Sequence, residues 1–508
     1  MRVRDGENLF RLVILPCGLF LTGIALLLVL ELVVAGSSGF PFDDSWIFAQ
    51  YARNLANGHG FCFNIGEPSS GFTSFLWLLH CTVAYKLTGS FVLPMKLMGV
   101  LFGVGSVVMS HLVVETLTGD KRKAQMASYL TAISPPLVAN SLAGMEGSLY
   151  AFTALTGIWL HLRWRMTPSF CWLWEGVWWG IAVLTRPENL LLWGITIADK
   201  LWRNRRSWHS ALGWMALQVV PLAALASLWI AVNLNTTGTP FPCTYLAKVL
   251  PVRKVFYGHW GIPLGIIVAL MQGLTTWLIC LTVLFPSVVA LLAWKLFTQI
   301  RQQDIAKSFL NCWLFGAATL MTASQVVQFP MGSWTVWGFW GRYLLPAYLI
   351  AGMALMMGLP SFRWVLVIAI LGCVPSYINI VSEYAQSVEV MQRIYIPFGK
   401  WLSRHTPQNA IIATHDIGAI GFFSHRHIFD TQGLIHADVA KRLPELWNDS
   451  EMLRELRRRN VSYLAVSDSW SLVNTHPELF ELIKAEPGWN LDSKRQFCIF
   501  RIRLGASK

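Results

Sequence analysis

The chain has 508 residues, 54% of them hydrophobic and only 13% charged, with a mean hydropathy of +0.48. Soluble globular chains carry roughly 25% charged residues, so this composition excludes a soluble enzyme and points to a polytopic membrane protein. The formal charge of +13 does not indicate nucleic acid, because the basic residues sit in short clusters between apolar runs, the positive-inside pattern.

Residues 11–34 supply about 20 apolar positions, enough to cross ~30 Å of hydrocarbon. No small-residue cleavage site follows, so they read as an uncleaved first span. The basic clusters are Arg2/Arg4/Arg11, Lys121/Arg122/Lys123, Arg163/Arg165, Lys200/Arg203/Arg205/Arg206, Lys295/Arg301/Lys307 and Arg363. Placing all of them in the cytoplasm turns 35–91, 142–147, 185–189, 233–273, 329–341 and everything after about 382 outward. The spans then fall near 11–34, 92–117, 125–141, 148–164, 172–186, 188–202, 210–232, 274–298, 308–328, 343–360 and 362–381. That makes about 11 spans, with the N-terminus cytoplasmic and the C-terminus outside. Segments 72–88 and 255–273 are also apolar. Counting 72–88 as a crossing would put Lys121–Lys123 on the wrong side, so both read as interfacial or re-entrant helices.

From about 397 polar residues become common. Short β-rich runs appear at 410–416, 426–433, 462–468 and 498–503, and 437–459 reads as helix-rich. The expected organisation is an all-α membrane domain over 1–396, with its first outer loop at 35–91, and a small soluble α/β domain over 397–508 on the outer face. Nine cysteines without a C-x-x-C read as small buried hydrophobes and give neither a disulfide framework nor a zinc site.

Ionisable residues at membrane depth or at loop edges gather on the outward side. They are Asp43, Asp44, Arg53, Glu67, Glu146, Arg186, Glu188, Lys248, Arg342, His415 and Asp416. Such residues are costly there and mark a site or a pathway. An acid can take a proton from a hydroxyl, and Arg and Lys at a water–lipid boundary suit a phosphate. No nucleotide-binding glycine loop occurs in a strand–helix context. A phosphate-bearing lipid in the outer leaflet is therefore the expected substrate. Adjacent acids repel, so one of Asp43 and Asp44 is expected to titrate high, as suits a base. Asp44 also reads as an N-cap for a helix over 45–57.

The segment FDDSWIFAQYARNLANGHGFCFNIGEPSSGFTSFLW (42–77) resembles the first outer loop of membrane glycosyltransferases of the GT-C fold class, which use polyprenyl-phosphate sugars. Further matches follow in order: GMEGSLYAF (144–152), LTRPENLLL (184–192), GTPFPCTYLAK (238–248), GRYLLPAY (341–348) and DIGAIGFFSHRHIFDTQGL (416–434). The series looks closest to the branch containing the mycobacterial terminal arabinofuranosyltransferase. Trp46 stands where Tyr or Phe is usual, and 329–341 lack the Gly-Gly-Asp that many relatives carry.

The resemblance implies an inverting glycosyltransferase of a bacterial cytoplasmic (inner) membrane. It implies Asp43 as general base with Asp44 beside it. A polyprenyl-phosphate sugar would be the donor and a glycan, lipid or protein hydroxyl the acceptor. Arg53, Arg186, Lys248 and Arg342 are the candidates for the donor phosphate. Glu146, Glu188, His59 and His415 are the candidates for substrate contact. Relatives differ over a divalent cation, and no metal ligand is assigned. The competing reading is a flippase or transporter of lipid or lipid-linked sugar, which calls for charges at mid-bilayer and repeat-related broken helices.

Overall fold

The computed structural model describes residues 2–165, 170–203, 208–268, 270–271, 342–358, 363–487 and 495–503. The spans expected near 274–298 and 308–328, and the aromatic segment 329–341, lie outside them. The chain divides into two compact units. One comprises Met1–Leu27, Met95–Trp229 and Phe256–Ser382; the other comprises Leu28–Pro94, Ile230–Val255 and Glu383–Lys508.

The described parts of the first unit are helical. Among the described residues, three helices are long and apolar enough to cross a membrane: Arg11–Ala35, Val92–Thr118 and Met215–Thr237. Helices Cys171–Thr185 and Asn189–Arg203 have 15 residues each, about 22 Å at 1.5 Å per residue. The single helix expected over 125–141 is instead two, Lys121–Ala132 and Pro135–Leu142. The cause is local. Pro135 has no N–H to donate, and the residue before it is driven from helical geometry; Ser134 adopts φ −67°, ψ 111°. Close helix approach uses small residues, as expected where lipid provides no hydrophobic drive. A Cβ on Gly99 would stand 2.1 Å from the Ser141 carbonyl oxygen.

Lys200, one of the basic residues grouped above, is fully buried. Its Nζ lies 2.5 Å from Glu175 Oε2 and 4.1 Å from the centre of the Trp172 ring. His161 Nε2 is 3.0 Å from Asp199 Oδ2, and the Arg203 Nε–H donates to the same carboxylate. Burial is tolerable because each charge has an opposite partner. This network joins helices Gly147–Trp164, Cys171–Thr185 and Asn189–Arg203.

The second unit holds a five-stranded sheet: β1 (Ile411–Thr414), β2 (His427–Asp430), β3 (Tyr463–Ser467), β4 (Phe480–Pro487) and β5 (Gln496–Ile502), in the order β2-β1-β3-β5-β4. β1 pairs in parallel with β2 and β3, and β5 pairs antiparallel with β3 and β4. A parallel neighbour requires a crossover, and helix Ile417–Ser424 supplies it between β1 and β2. Helices Ala437–Leu446 and Asp449–Arg458 cover the sheet through Val439, Leu443, Met452 and Leu456, packed with Phe429, Leu464, Val466 and Phe500.

β4 went unread in the sequence. It is an edge strand whose residues are mostly half-buried, so it lacks the apolar alternation that marks a strand with one face in the core.

Residues 35–91 are built into this same unit. Helix Asp43–Ala56 packs on helices Phe75–Thr88 and Ile417–Ser424, with Trp46 wedged against Phe422 and Phe423. Helix Phe75–Thr88 has 14 residues, about 21 Å, which is short of a crossing.

Candidate active site

Asp43 and Asp44 open their helix, where carboxylates complement the macrodipole. Neither is its N-cap. Phe42 holds that position and no side chain caps it, which corrects the reading of Asp44.

Asp43 caps a different helix. Its Oδ2 accepts from the Gly418 N–H at 2.6 Å and its Oδ1 from the Ala419 N–H at 2.7 Å. These are the second and third amides of helix Ile417–Ser424, the donors that an N-cap side chain normally satisfies. The residue at that helix's own cap, Asp416, makes no capping bond. It accepts from the Tyr395 O–H at 3.0 Å instead. Tyr395 closes a π-helical turn, Met391–Tyr395, a distortion frequent at functional sites.

Three carboxylates thus face one small region of the second unit. Burial raises the Asp43 pKa first, and the neighbouring charge of Asp416 raises it next; the Ala419 and Gly418 amides pull it down, and Asp44 adds a smaller upward push. Asp416 is also raised, again by burial first, with Tyr395 opposing and Asp44 and Asp430 assisting. The repulsion expected between Asp43 and Asp44 is present but minor. The larger like-charge effect on Asp43 comes from Asp416, 373 residues further along. Lys248 Nζ lies 3.7 Å from Asp44 Oδ2, both side chains being partly exposed. Among the described residues no cluster of three or more His, Cys, Asp or Glu has metal-binding geometry.

Gly418 is what lets Asp43 approach. A Cβ there would stand 2.0 Å from the Asp43 carbonyl oxygen. Gly418→Ala is therefore expected to push the two helices apart and to cost about 1–3 kcal/mol as overpacking. It should also break both amide bonds to Asp43. The thermal unfolding midpoint of the variant, measured beside wild type in the same detergent, should fall.

Other candidates in this unit sit elsewhere. Arg53 lies ten residues beyond Asp43, about 15 Å along the helix axis. It donates to the Phe422 carbonyl at 3.2 Å and to Gln50 Oε1, and it stacks 4.2 Å from the Phe422 ring centre. His59 is exposed in the turn after the helix. The His415 Nδ1 meets Thr431 Oγ1 at 2.6 Å and its ring stands edge-on to Trp470. Glu67 lies 3.5 Å from His427 and 3.7 Å from His436.

The first unit holds the remaining candidates. Arg186 ends helix Cys171–Thr185 in extended geometry, φ −155°, ψ 130°, as a residue preceding proline should. Its Nη1–H donates to Glu146 at 2.6 Å, and its Nε–H and Nη2–H donate to the two oxygens of Glu188 at 3.2 and 2.8 Å. The Tyr343 ring lies between two guanidinium groups, 4.6 Å from Arg186 and 4.7 Å from Arg342. Arg342 donates to the Tyr343 hydroxyl at 2.7 Å. Glu146 occupies the N-cap position of helix Gly147–Trp164 without capping it. Both carboxylates are paired with Arg186, so its charge is already neutralised.

Sequence reasoning set Lys248 near the acid pair, but it did not pair Asp43 with the Gly418 and Ala419 amides or Arg186 with its two acids, and it missed Tyr395 and Gly418. Gly418 sits in DIGAIG, two glycines three apart at the start of an apolar helix, which is the available signal for close backbone approach.

The described helices and the appended α/β domain belong to an integral membrane protein with the GT-C fold. Two solved structures share that fold. One is ArnT from Cupriavidus metallidurans bound to undecaprenyl phosphate, 12% identical, with a TM-score of 0.55 over 97% of this chain and 99% of that one. The other is the Archaeoglobus fulgidus oligosaccharyltransferase in complex with Zn and sulfate, 14% identical, with a TM-score of 0.54 over 88% of this chain and 68% of that one. A family model described as a domain of unknown function, DUF8728, matches residues 379–500. No curated protein sequence matches the chain.

Proposed function

We propose that this protein is an inverting glycosyltransferase that moves a sugar from a polyprenyl-phosphate donor to an acceptor hydroxyl on the outer side of a bacterial cytoplasmic membrane. The observation that carries the reading is the group Asp43, Asp44 and Asp416 with Lys248 alongside, in a fold shared with a protein crystallised on undecaprenyl phosphate.

Asp43 is the proposed base. Its two amide bonds fix the carboxylate and leave each oxygen a second lone pair. The acceptor O–H gives its proton to Asp43, its oxygen forms the bond to the anomeric carbon, and the bond to the phosphate oxygen breaks. The leaving phosphate is already a weak base and needs no proton. Lys248 is the proposed cation for its charge. Arg186 and Arg342 are further candidates for phosphate. Arg186 is the weaker of the two, because two carboxylates hold it.

Transfer should show an acid limb shifted upward. A base must be ionised to act, and an ordinary aspartate, with a pKa of about 3.9, would be flat above roughly pH 5. Because burial and Asp416 raise Asp43, transfer should still be climbing above pH 5. A profile already flat at pH 5 would remove Asp43 as the base.

The function itself is tested with the full-length protein in nanodiscs, given polyprenyl-phosphate pentose and hexose donors and an envelope glycan extract, with products read by mass spectrometry. Glycan mass increments that require the donor support the reading. Lipid scrambling without transfer would favour the flippase.

A further inference from the structure

Helix Asp43–Ala56 ends beside a depression in the second unit with a volume of about 430 Å³. Arg53, Asn57, His59, His425, Arg426 and His427 supply its polar wall, and among the described residues no carboxylate lines it. Two guanidinium groups share this wall; the Glu67 carboxylate, 3.5 Å from the lining His427, stands outside it.

The wall is rigid. Gln50 and Asn54 donate to the Phe63 carbonyl at 2.9 Å each, pinning the loop that follows the helix. Gly58 and Gly60 flank His59 with φ of +84° and +78°, a turn open to glycine. Arg426 is fixed through all three guanidinium nitrogens, which donate to the Thr406 hydroxyl and to the carbonyls of Ser403, Thr406, Ser424 and His425, so it brings charge to the wall rather than free donors. Carbonyls orient a guanidinium without cancelling its charge. Arg53 spends one N–H on Phe422 and one on Gln50 out of the five a guanidinium carries. Both arginines also bear on His425, whose pKa is lowered by burial first and by their charges next. Exposed Asn57 and His59 on the rim add hydrogen-bonding groups, and exposed Ile65 adds an apolar surface.

We propose that this depression binds the anionic group of a carbohydrate, a uronate carboxylate or a phosphate ester, and so holds the acceptor glycan. The Arg53 guanidinium can donate to a planar or tetrahedral oxyanion, Arg426 adds its charge, and rim amide and imidazole groups suit sugar hydroxyls. The acceptor role rests on the glycosyl-transfer reading, whereas binding of the anion does not. The site also gives Arg53 and His59 a place distinct from Asp43.

Calorimetric titration of the full-length protein in nanodiscs tests this, with trigalacturonate, glucose 1-phosphate, inorganic phosphate and neutral maltotriose as probes. At least one anionic sugar should bind, at least tenfold more tightly than maltotriose and than inorganic phosphate. The rim variant Asn57→Asp/His59→Glu adds negative charge at two exposed positions and should weaken that binding at least tenfold while leaving the melting temperature unchanged. Asp43→Asn should leave it intact. Absence of binding by both anionic sugars, equal binding of inorganic phosphate, or binding unmoved in the rim variant would each overturn the site. Binding by a wild-type protein that transfers no sugar would leave the anion site standing and remove the acceptor role.

Discussion

Asp43→Asn is expected to lower sugar transfer by roughly two to four orders of magnitude, the usual contribution of a positioned acid or base. The substitution keeps the shape and removes the proton acceptor. It also disturbs an anchor, because both carboxylate oxygens hold amides of helix Ile417–Ser424. An asparagine can accept from one of those amides through Oδ1, while its NH₂ faces the other. Hydrogen bonds to charged groups contribute about 1.5–3 kcal/mol each, so some loss of stability accompanies the loss of rate.

Thermal unfolding of Asp43→Asn and of Gly418→Ala separates the two effects. Gly418→Ala breaks the anchor from the other side and leaves the carboxylate in place. If Asp43 is only an anchor, the two variants lose transfer in proportion to stability. If it is the base, Asp43→Asn loses far more transfer per degree of melting temperature. Retained transfer in Asp43→Asn would move the base role to Asp416, whose carboxylate accepts from the Tyr395 O–H at 3.0 Å.

The elements were easier to read than the pairings, for a physical reason. Helix and strand signals are local. The apolar run at 11–34 corresponds to helix Arg11–Ala35, and the β-rich runs at 410–416, 426–433 and 462–468 contain β1, β2 and β3. Which charge meets which is set by tertiary contact. Asp43 and Gly418 are far apart in sequence, as are Glu146 and Arg186. Lys200 looked like one more basic residue at a helix end, and only the fold brings Glu175 onto it. Composition identified the residues able to do chemistry, but not that Arg186 would be consumed by two acids or that Arg53 would lie a helix length from Asp43.

Arg186→Met is expected to be the most destabilising single change in the first unit. The guanidinium is buried, as is Glu146, and Glu188 is nearly so. Removing one partner of a buried ion pair costs about 3–5 kcal/mol, because it strands the opposite charge. Here it strands two carboxylates that share one cation. The denaturation midpoint in detergent should drop sharply, and Glu146→Gln/Arg186→Met/Glu188→Gln should recover most of the loss, since that triple variant removes both carboxylates together with the cation they share. The residual difference between the triple variant and wild type then reports what the cluster does beyond holding itself together. If stability returns but transfer does not, Arg186 or its acids act on substrate. If both return, the cluster is a structural clasp and Arg186 leaves the list of phosphate ligands.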